Sequence, residues 1–191
     1  MIIFRAISRA LLTQGFGLEK TIPNMLPLYQ SLDLIGHNGW DWSCDNGDPI
    51  YWDCDQEGVV LEVSLDPKAG LGVVLGTENK HKHIFWHLES VECQVGELLE
   101  TGALIGYGDN TGMSTGPHLH RGLKETDGEY KTINWDNGYK GAINPAPYFK
   151  NVFVKDLMKE LEETVSRLQR ILDWLKKKLW MKNLTNGRRI N

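Results

Sequence analysis

The sequence predicts a mainly β fold, an antiparallel β-sheet domain over residues 1–150, followed by one long C-terminal α-helix within 151–191. Three observations carry that reading. The 20 glycines fall mostly between positions 36 and 141, a density that suits short strands and tight turns better than helices. Between them stand short runs rich in β-branched and aromatic residues. Beyond residue 150 the pattern changes to leucines spaced by four and three, with no Gly or Pro from Asn151 to Thr185.

Taken in order, Val59–Val63, Gly72–Gly76 and Ile84–Leu88 are the strand-like runs. Asp66-Pro67-Lys68-Ala69-Gly70 and Glu78-Asn79-Lys80-His81-Lys82 supply turn chemistry between them. His81 and His83 are expected at a solvated hairpin tip. Val95-Gly96-Glu97 and Thr101-Gly102-Ala103 read as further corners. The rigid Asn144-Pro145-Ala146-Pro147 segment closes the β domain near Phe149. In the helix, Leu161, Val165, Leu168, Leu172, Leu175 and Leu179 form a heptad seam within residues 157–179. Such a seam can zip two or three chains into a homo-oligomer or pack back on the β domain. Near its end Trp174, Leu175, Leu179 and Trp180 flank Lys176-Lys177-Lys178, with Arg188 and Arg189 beyond. That composition also suits contact with anionic membrane or lipopolysaccharide.

Bulk properties bound the class. A chain of 191 residues is long enough for one buried domain and an appendage. With 41% hydrophobic and 24% charged residues it reads as globular rather than disordered. Residues 151–191 hold ten of the 21 Lys and Arg but only five of the 25 Asp and Glu, so two parts with different tasks are expected. No nucleic-acid partner is expected. Cys44, Cys54 and Cys93 are too few for a disulfide framework and read as free thiols, although Cys44 and Cys54 could pair if their strands adjoin. No apolar stretch reaches the roughly 20 residues of a membrane span. Arg5 and Arg9 interrupt the N-terminal apolar run, so no secretory signal is expected and synthesis in the cytoplasm is.

Four local patterns could carry chemistry. Gly36-His37-Asn38-Gly39-Trp40-Asp41 offers two good zinc ligands around a flexible glycine, but His-x-x-x-Asp alone is commonly just a turn. Gly116-Pro117-His118-Leu119-His120 would place both imidazoles on one face of a strand. Two solvent-facing histidines are the plain alternative. His87, on an aromatic-flanked strand, is by itself more often a packing residue than a catalyst. Gly112-Met113-Ser114-Thr115-Gly116 matches the G-x-S-x-G of serine hydrolases, yet that elbow needs a helix after it. Pro117 and a strand-like run follow instead, so Ser114 reads as part of a loop beside a site.

Together and in this order, His37-x-x-x-Asp41, Trp86-His87-Leu88 and Ser114-Thr115-Gly116-Pro117-His118-Leu119-His120 resemble the lysostaphin-type (LytM) zinc endopeptidases. Gly47-Asp48-Pro49-Ile50 with Glu57-Gly58-Val59-Val60 is similar to that family's early strand pair. Val95-Gly96-Glu97 and Thr101-Gly102-Ala103-Leu104-Ile105-Gly106 are similar to its next glycine-punctuated segment. The resemblance covers roughly residues 12–150. It implies one Zn²⁺ per chain held by His37, Asp41 and His120, with His87 and His118 as unligated catalytic histidines. Two His and one carboxylate would leave a position open for water, as catalytic zinc sites do. It further implies substrate contacts from Tyr29, Trp86, Asn110, Ser114 and Thr115. The expected activity is hydrolysis of peptide bonds in bacterial peptidoglycan, in a cross-link or a stem peptide.

Two positions depart from the family. Arg121 stands where an aromatic is usual and Trp86 where a Tyr is usual, which bears on substrate preference. Thr13-Gln14-Gly15-Phe16-Gly17 looks like phage or prophage members, which suggests an endolysin or virion-associated lysin acting at the wall after phage-type release. The alternatives are a non-catalytic wall-binding or regulatory module with a structural zinc, and a peptidase of ordinary proteins.

Overall fold

In the computed structural model residues 1–187 are described, with side chains through Leu179. Strands β1 (Ile3–Arg5) and β2 (Leu12–Gln14) precede a short helix, α1 (Leu26–Ser31). Strands β3 (Trp40–Ser43) and β4 (Pro49–Tyr51) follow. The long central strands are β5 (Gly58–Asp66), β6 (Gly70–Thr77) and β7 (His81–Val91). Strands β8 (Leu98–Leu99) and β9 (Leu104–Gly108) are short, and β10 (His118–Glu125) is long. Finally β11 (Phe149–Phe153) runs straight into α2 (Val154–Gly187).

Nine strands form an antiparallel sheet in the order β2-β3-β10-β7-β6-β5-β8, with β9 on β7 and β4 on β9. Strand alternation divides its central part into a core face and a polar face. Trp40 and Trp42 of β3, Val73 and Leu75 of β6, Phe85 of β7 and Leu119 of β10 are buried in one cluster with Ile50, Trp52 and Ile105. Asp41, His118 and His120 alternate with those residues and so face the other way. The core thus fixes the strands from one side and leaves the other for chemistry.

The mainly β architecture and the long C-terminal helix agree with the sequence reading. The N-terminal segment contributes to the core: β1 pairs in parallel with β11, and Ile3, Ala6 and Ile7 are buried, while Leu11 is exposed. Two details differ from the sequence reading. His83 is not at a solvated tip. It lies in β7, fully buried, where its Nδ1 accepts a 2.6 Å hydrogen bond from Arg121 Nη2. Burial first, and then the Arg121 charge, hold its pKa well below 6.5. Arg121 does not reach the polar face. Its Nε and Nη2 donate to the two carboxylate oxygens of buried Asp53 at 2.9 Å each, and its guanidinium stacks 4.5 Å from the Phe85 ring centre. Its departure from the family pattern is therefore a matter of core packing. All three cysteines are free thiols, with Cys54 buried and Cys44 and Cys93 half-buried.

Residues 1–154 and 155–191 form two compact units. In the second, Leu161, Val165, Leu168, Leu172, Leu175 and Leu179 are all exposed. Lys178 Nζ lies 4.5 Å over the Trp174 ring. The side chain of Trp180 and residues Arg188 and Arg189, assigned above to the basic end, lie outside the described part. Among the described residues no helix is long and apolar enough to cross a membrane.

Candidate metal centre and catalytic cleft

The antiparallel register of β3 and β10 sets His120 opposite Asp41 and His118 opposite Ser43. This pairing brings residues 79 positions apart to one point on the polar face. His37 enters from the bend before β3. There its carbonyl accepts from the Gly17 amide at 2.8 Å and its amide donates to Thr21 Oγ1 at 2.9 Å, so the loop is clamped. His37 Nε2, Asp41 Oδ1 and His120 Nδ1 then converge, with mutual separations of 3.0 to 3.1 Å.

These three atoms lie close enough together to hold a metal ion. The His37 Nδ1–H donates to the Gly15 carbonyl at 2.9 Å, and a carbonyl can only accept, so Nε2 is left with its lone pair. That lone pair faces a carboxylate oxygen. A proton or a cation must lie between them. Tetrahedral Zn²⁺ with N and O ligands near 2.0–2.1 Å has ligand–ligand edges of about 3.3 Å, close to the observed triangle. The Asp41 carboxyl is pushed up by burial, but hydrogen bonds with His120 and His37 outweigh that and hold it well below the usual carboxylate range. It is an anion ready to ligate.

His118 and His87 stand beside the triangle with the same tautomer logic. His118 Nδ1 lies 2.8 Å from the Gly116 carbonyl and 3.1 Å from Ser114 Oγ. His87 Nδ1 lies 2.7 Å from the Thr111 carbonyl. Each Nδ1–H is thereby taken up by backbone, and each Nε2 is free to exchange a proton in the cleft. His118 Nε2 is 3.8 Å from Asp41 Oδ1, and the two rings are 4.5 Å apart. Burial pushes the His87 pKa down to about 4, so the group is a neutral base at physiological pH.

A bulge places His87. In the β6–β7 ladder Leu71 pairs with Leu88 and Val73 with Phe85, so Trp86 and His87 together oppose Gly72. His87 takes φ 67°, a strained value for a residue with a Cβ, and this turns it into the cleft beside Trp86. The Trp86 ring lies against Gly72, where a side chain would collide with it.

The cleft has a volume of about 610 Å³ and is lined by Tyr29, Trp86, Ser114 and Thr115 as well as the five residues above. Tyr29 packs 5.6 Å from the His37 ring, and its hydroxyl accepts from Gln14 Nε2 at 3.0 Å. Burial, then the Asp41 charge, push its pKa up to about 12, so it remains a donor. Asn110 is exposed and does not line the cleft. The structure adds Gln14, Trp135 and Lys140 to the lining, and the carbonyls of Gly15, Thr111 and Gly116 as tautomer-fixing acceptors. Backbone acceptors leave no trace in side-chain identity, and Trp135 and Lys140 belong to no motif.

Known proteins resemble this chain in sequence and in fold. The chain is 38% identical to the peptidoglycan DD-endopeptidase ShyA of Vibrio cholerae over 84 residues, which are 44% of this chain and 19% of ShyA. It is 31% identical to lysostaphin of Staphylococcus simulans over 86 residues, 44% of this chain and 17% of lysostaphin. The chain thus spans about a fifth of the length of the curated relatives it matches. Among solved structures, a zinc-containing peptidase from Vibrio cholerae aligns with a TM-score of 0.54 and 27% identity, covering 64% of this chain and 36% of that one. The solution structure of lysostaphin shares the fold, with a TM-score of 0.57 at 21% identity over 75% of this chain and 53% of that one. Residues 35–134, which run from just before His37 to beyond His120, match the sequence profile of peptidase family M23. That match takes in more than half of the 191 residues, and the chain belongs to peptidase family M23.

Proposed function

We propose that the protein is a zinc-dependent endopeptidase that hydrolyses peptide bonds in bacterial peptidoglycan. The observation that carries the reading is the convergence of His37 Nε2, Asp41 Oδ1 and His120 Nδ1, with the other His37 nitrogen committed to the Gly15 carbonyl. The zinc-containing structural relative and the endopeptidase relatives support the choice of metal and substrate. Bound Zn²⁺ would supply a Lewis acid and lower the pKa of a coordinated water toward neutrality. The free Nε2 of His87 or His118 accepts the proton of the attacking water and returns one to the leaving amine. The Tyr29 hydroxyl, held protonated, donates toward negative charge that develops on the carbonyl oxygen.

The test is clearing of purified peptidoglycan with and without a zinc chelator, followed by end-group analysis. Chelator-sensitive clearing with new amino groups and no new reducing sugars is the expected result. Zinc binding without release from any wall type would move the assignment to a non-catalytic wall-binding module.

We further propose that α2 pairs with the α2 of a second copy, antiparallel. About a two-fold at residue 170, Leu161 meets the partner's Leu179, Val165 the partner's Leu175, and Leu168 the partner's Leu172. Every exposed seam residue from 161 to 179 then finds an apolar mate. The same register sets Glu162 beside the partner's Lys176, twice by symmetry, whereas a parallel pair would gather Lys176–Lys178 of both chains at one end. Sedimentation should give a dimer that Leu168→Arg dissociates. Mixed Val165→Cys and Leu175→Cys chains should cross-link to each other and not to themselves. A monomer that binds anionic vesicles would overturn the pairing in favour of a membrane contact.

A further inference from the structure

We propose, granted that the cleft holds a peptide, that Lys82, Lys124 and Lys140 form a subsite for a substrate carboxylate, so that the enzyme selects an anionic peptide. In the β7–β10 ladder Lys82 stands directly opposite Lys124, and cross-strand partners share a face. Like charges in that relation destabilise a sheet. Lys140 adds a third positive charge whose field bears on Lys124, and it is held in a left-handed conformation, φ 53°. None of the three has an ion-pair partner among the described residues. Glu62 is the carboxylate whose charge bears on Lys124, and it forms no ion pair with it.

Lys124 is also partly removed from water. Its Nζ lies 4.8 Å over the Trp135 ring. Burial first, then Lys82 and Lys140, push its pKa down to about 8. A partly desolvated lysine with two like charges beside it and no ion pair is stabilised when an anion joins it. Lys140, with the Trp135 ring on which Lys124 rests, lines the cleft that holds the histidines, so the cluster adjoins that cleft through these two residues.

The spacing suits a peptide. Lys124 follows His120 by four residues on the same face of β10, about 13 Å at 3.3 Å per residue. An extended peptide spans that distance in about four residues. Between the two ends lie Trp86 and Ile84 of β7, with Gly122 between the His120 and Lys124 positions on β10, an apolar stretch of the same face. A carboxylate is the anion a peptide carries, as a side chain or at its C-terminus.

The test uses the metal-free 191-residue chain, so that binding is read without turnover. Alanine hexapeptides carrying one glutamate, walked through all six positions, are titrated by NMR against the matching glutamine peptides. One glutamate position should bind about tenfold tighter than its glutamine counterpart, as a charge-assisted contact predicts. Lys124→Met and Lys140→Met should each bring that peptide toward the glutamine level. A gain only for C-terminal glutamate, kept when its side chain is amidated, would assign the site to a chain end. Equal affinity for glutamate and glutamine peptides at every position overturns the proposal, as does a gain retained in both variants. Hydrolysis of the preferred peptide by zinc-loaded protein is scored apart. A glutamate preference without hydrolysis would leave the subsite standing and remove the endopeptidase reading.

Discussion

Gly39 and His120 are fitted to each other. A Cβ on residue 39 would lie 2.6 Å from both Cε1 and Nε2 of the His120 imidazole and 2.9 Å from the Arg121 carbonyl. The absence of a side chain at 39 lets the ring sit with Nδ1 toward Asp41 and His37. Gly39→Ala should therefore displace the ring or the strand behind it, at a cost of about 1–3 kcal/mol in stability. The specific expectation is loss of zinc affinity by more than stability explains, measured by competition with a chromophoric chelator. A variant that binds zinc normally would show that the ring has room to shift.

His87 and His118 are expected to act on protons and not on metal. Replacing either by alanine should leave one zinc per chain and an unchanged circular dichroism spectrum. Activity should fall about 10²- to 10⁴-fold, the usual contribution of a positioned acid or base. His118→Ala removes a ring whose Nε2 is 3.8 Å from Asp41, so its effect on zinc should be small but measurable. Loss of the metal in either variant would move that histidine into the ligand set.

Ser114 tests the serine-hydrolase pattern directly. Its hydroxyl donates to the Gly116 carbonyl at 2.8 Å and lies 3.1 Å from His118 Nδ1, the nitrogen already bound to the backbone. The next regular element is β10, with no helix to complete an elbow. Ser114→Ala should lower activity only about two- to tenfold, through a less constrained His118, and serine-directed phosphonates should have no effect. Abolished turnover with intact zinc would overturn the assignment of Ser114 to a support role.

The legible part of the site was the part written in side chains. Strand alternation alone sets His118 and His120 on one face, and the resemblance to the LytM endopeptidases adds His37 and Asp41 to the same site. The tautomers were not legible, because Gly15, Thr111 and Gly116 act through carbonyls that every residue possesses. The placement of His87 depends on a bulge and a positive φ, which no period-two pattern announces. The sequence points His83 to an exposed tip because the polar run Asn79-Lys80-His81-Lys82 leads directly into it. Its burial is met by the distant Arg121, whose guanidinium donates to Nδ1, and by Trp52, which packs edge-on at 4.9 Å.

That buried trio yields the last expectation. Asp53 and Arg121 are almost fully buried and bound through two parallel hydrogen bonds, and His83 accepts a third from the same guanidinium. Removing one partner leaves a charge without its counterion, so Asp53→Ala should cost about 3–5 kcal/mol. Asp53→Leu combined with Arg121→Met should be less damaging than the sum of the two single changes, measured by chemical denaturation. His83 gives the pH dependence. The unfolded chain protonates this histidine near pH 6.5, whereas the folded protein resists until well below that. Between those values the unfolded state binds more protons, so stability is complete above about pH 6.5 and falls as the pH is lowered. The slope from this one group is at most about 1.4 kcal/mol per pH unit. In metal-free protein His87, with its pKa near 4, adds in the same direction. His83→Phe should flatten the stability profile between pH 6.5 and 5 by about one proton. An unchanged slope would mean that His83 takes up a proton inside the fold, and that the guanidinium moves away to let it.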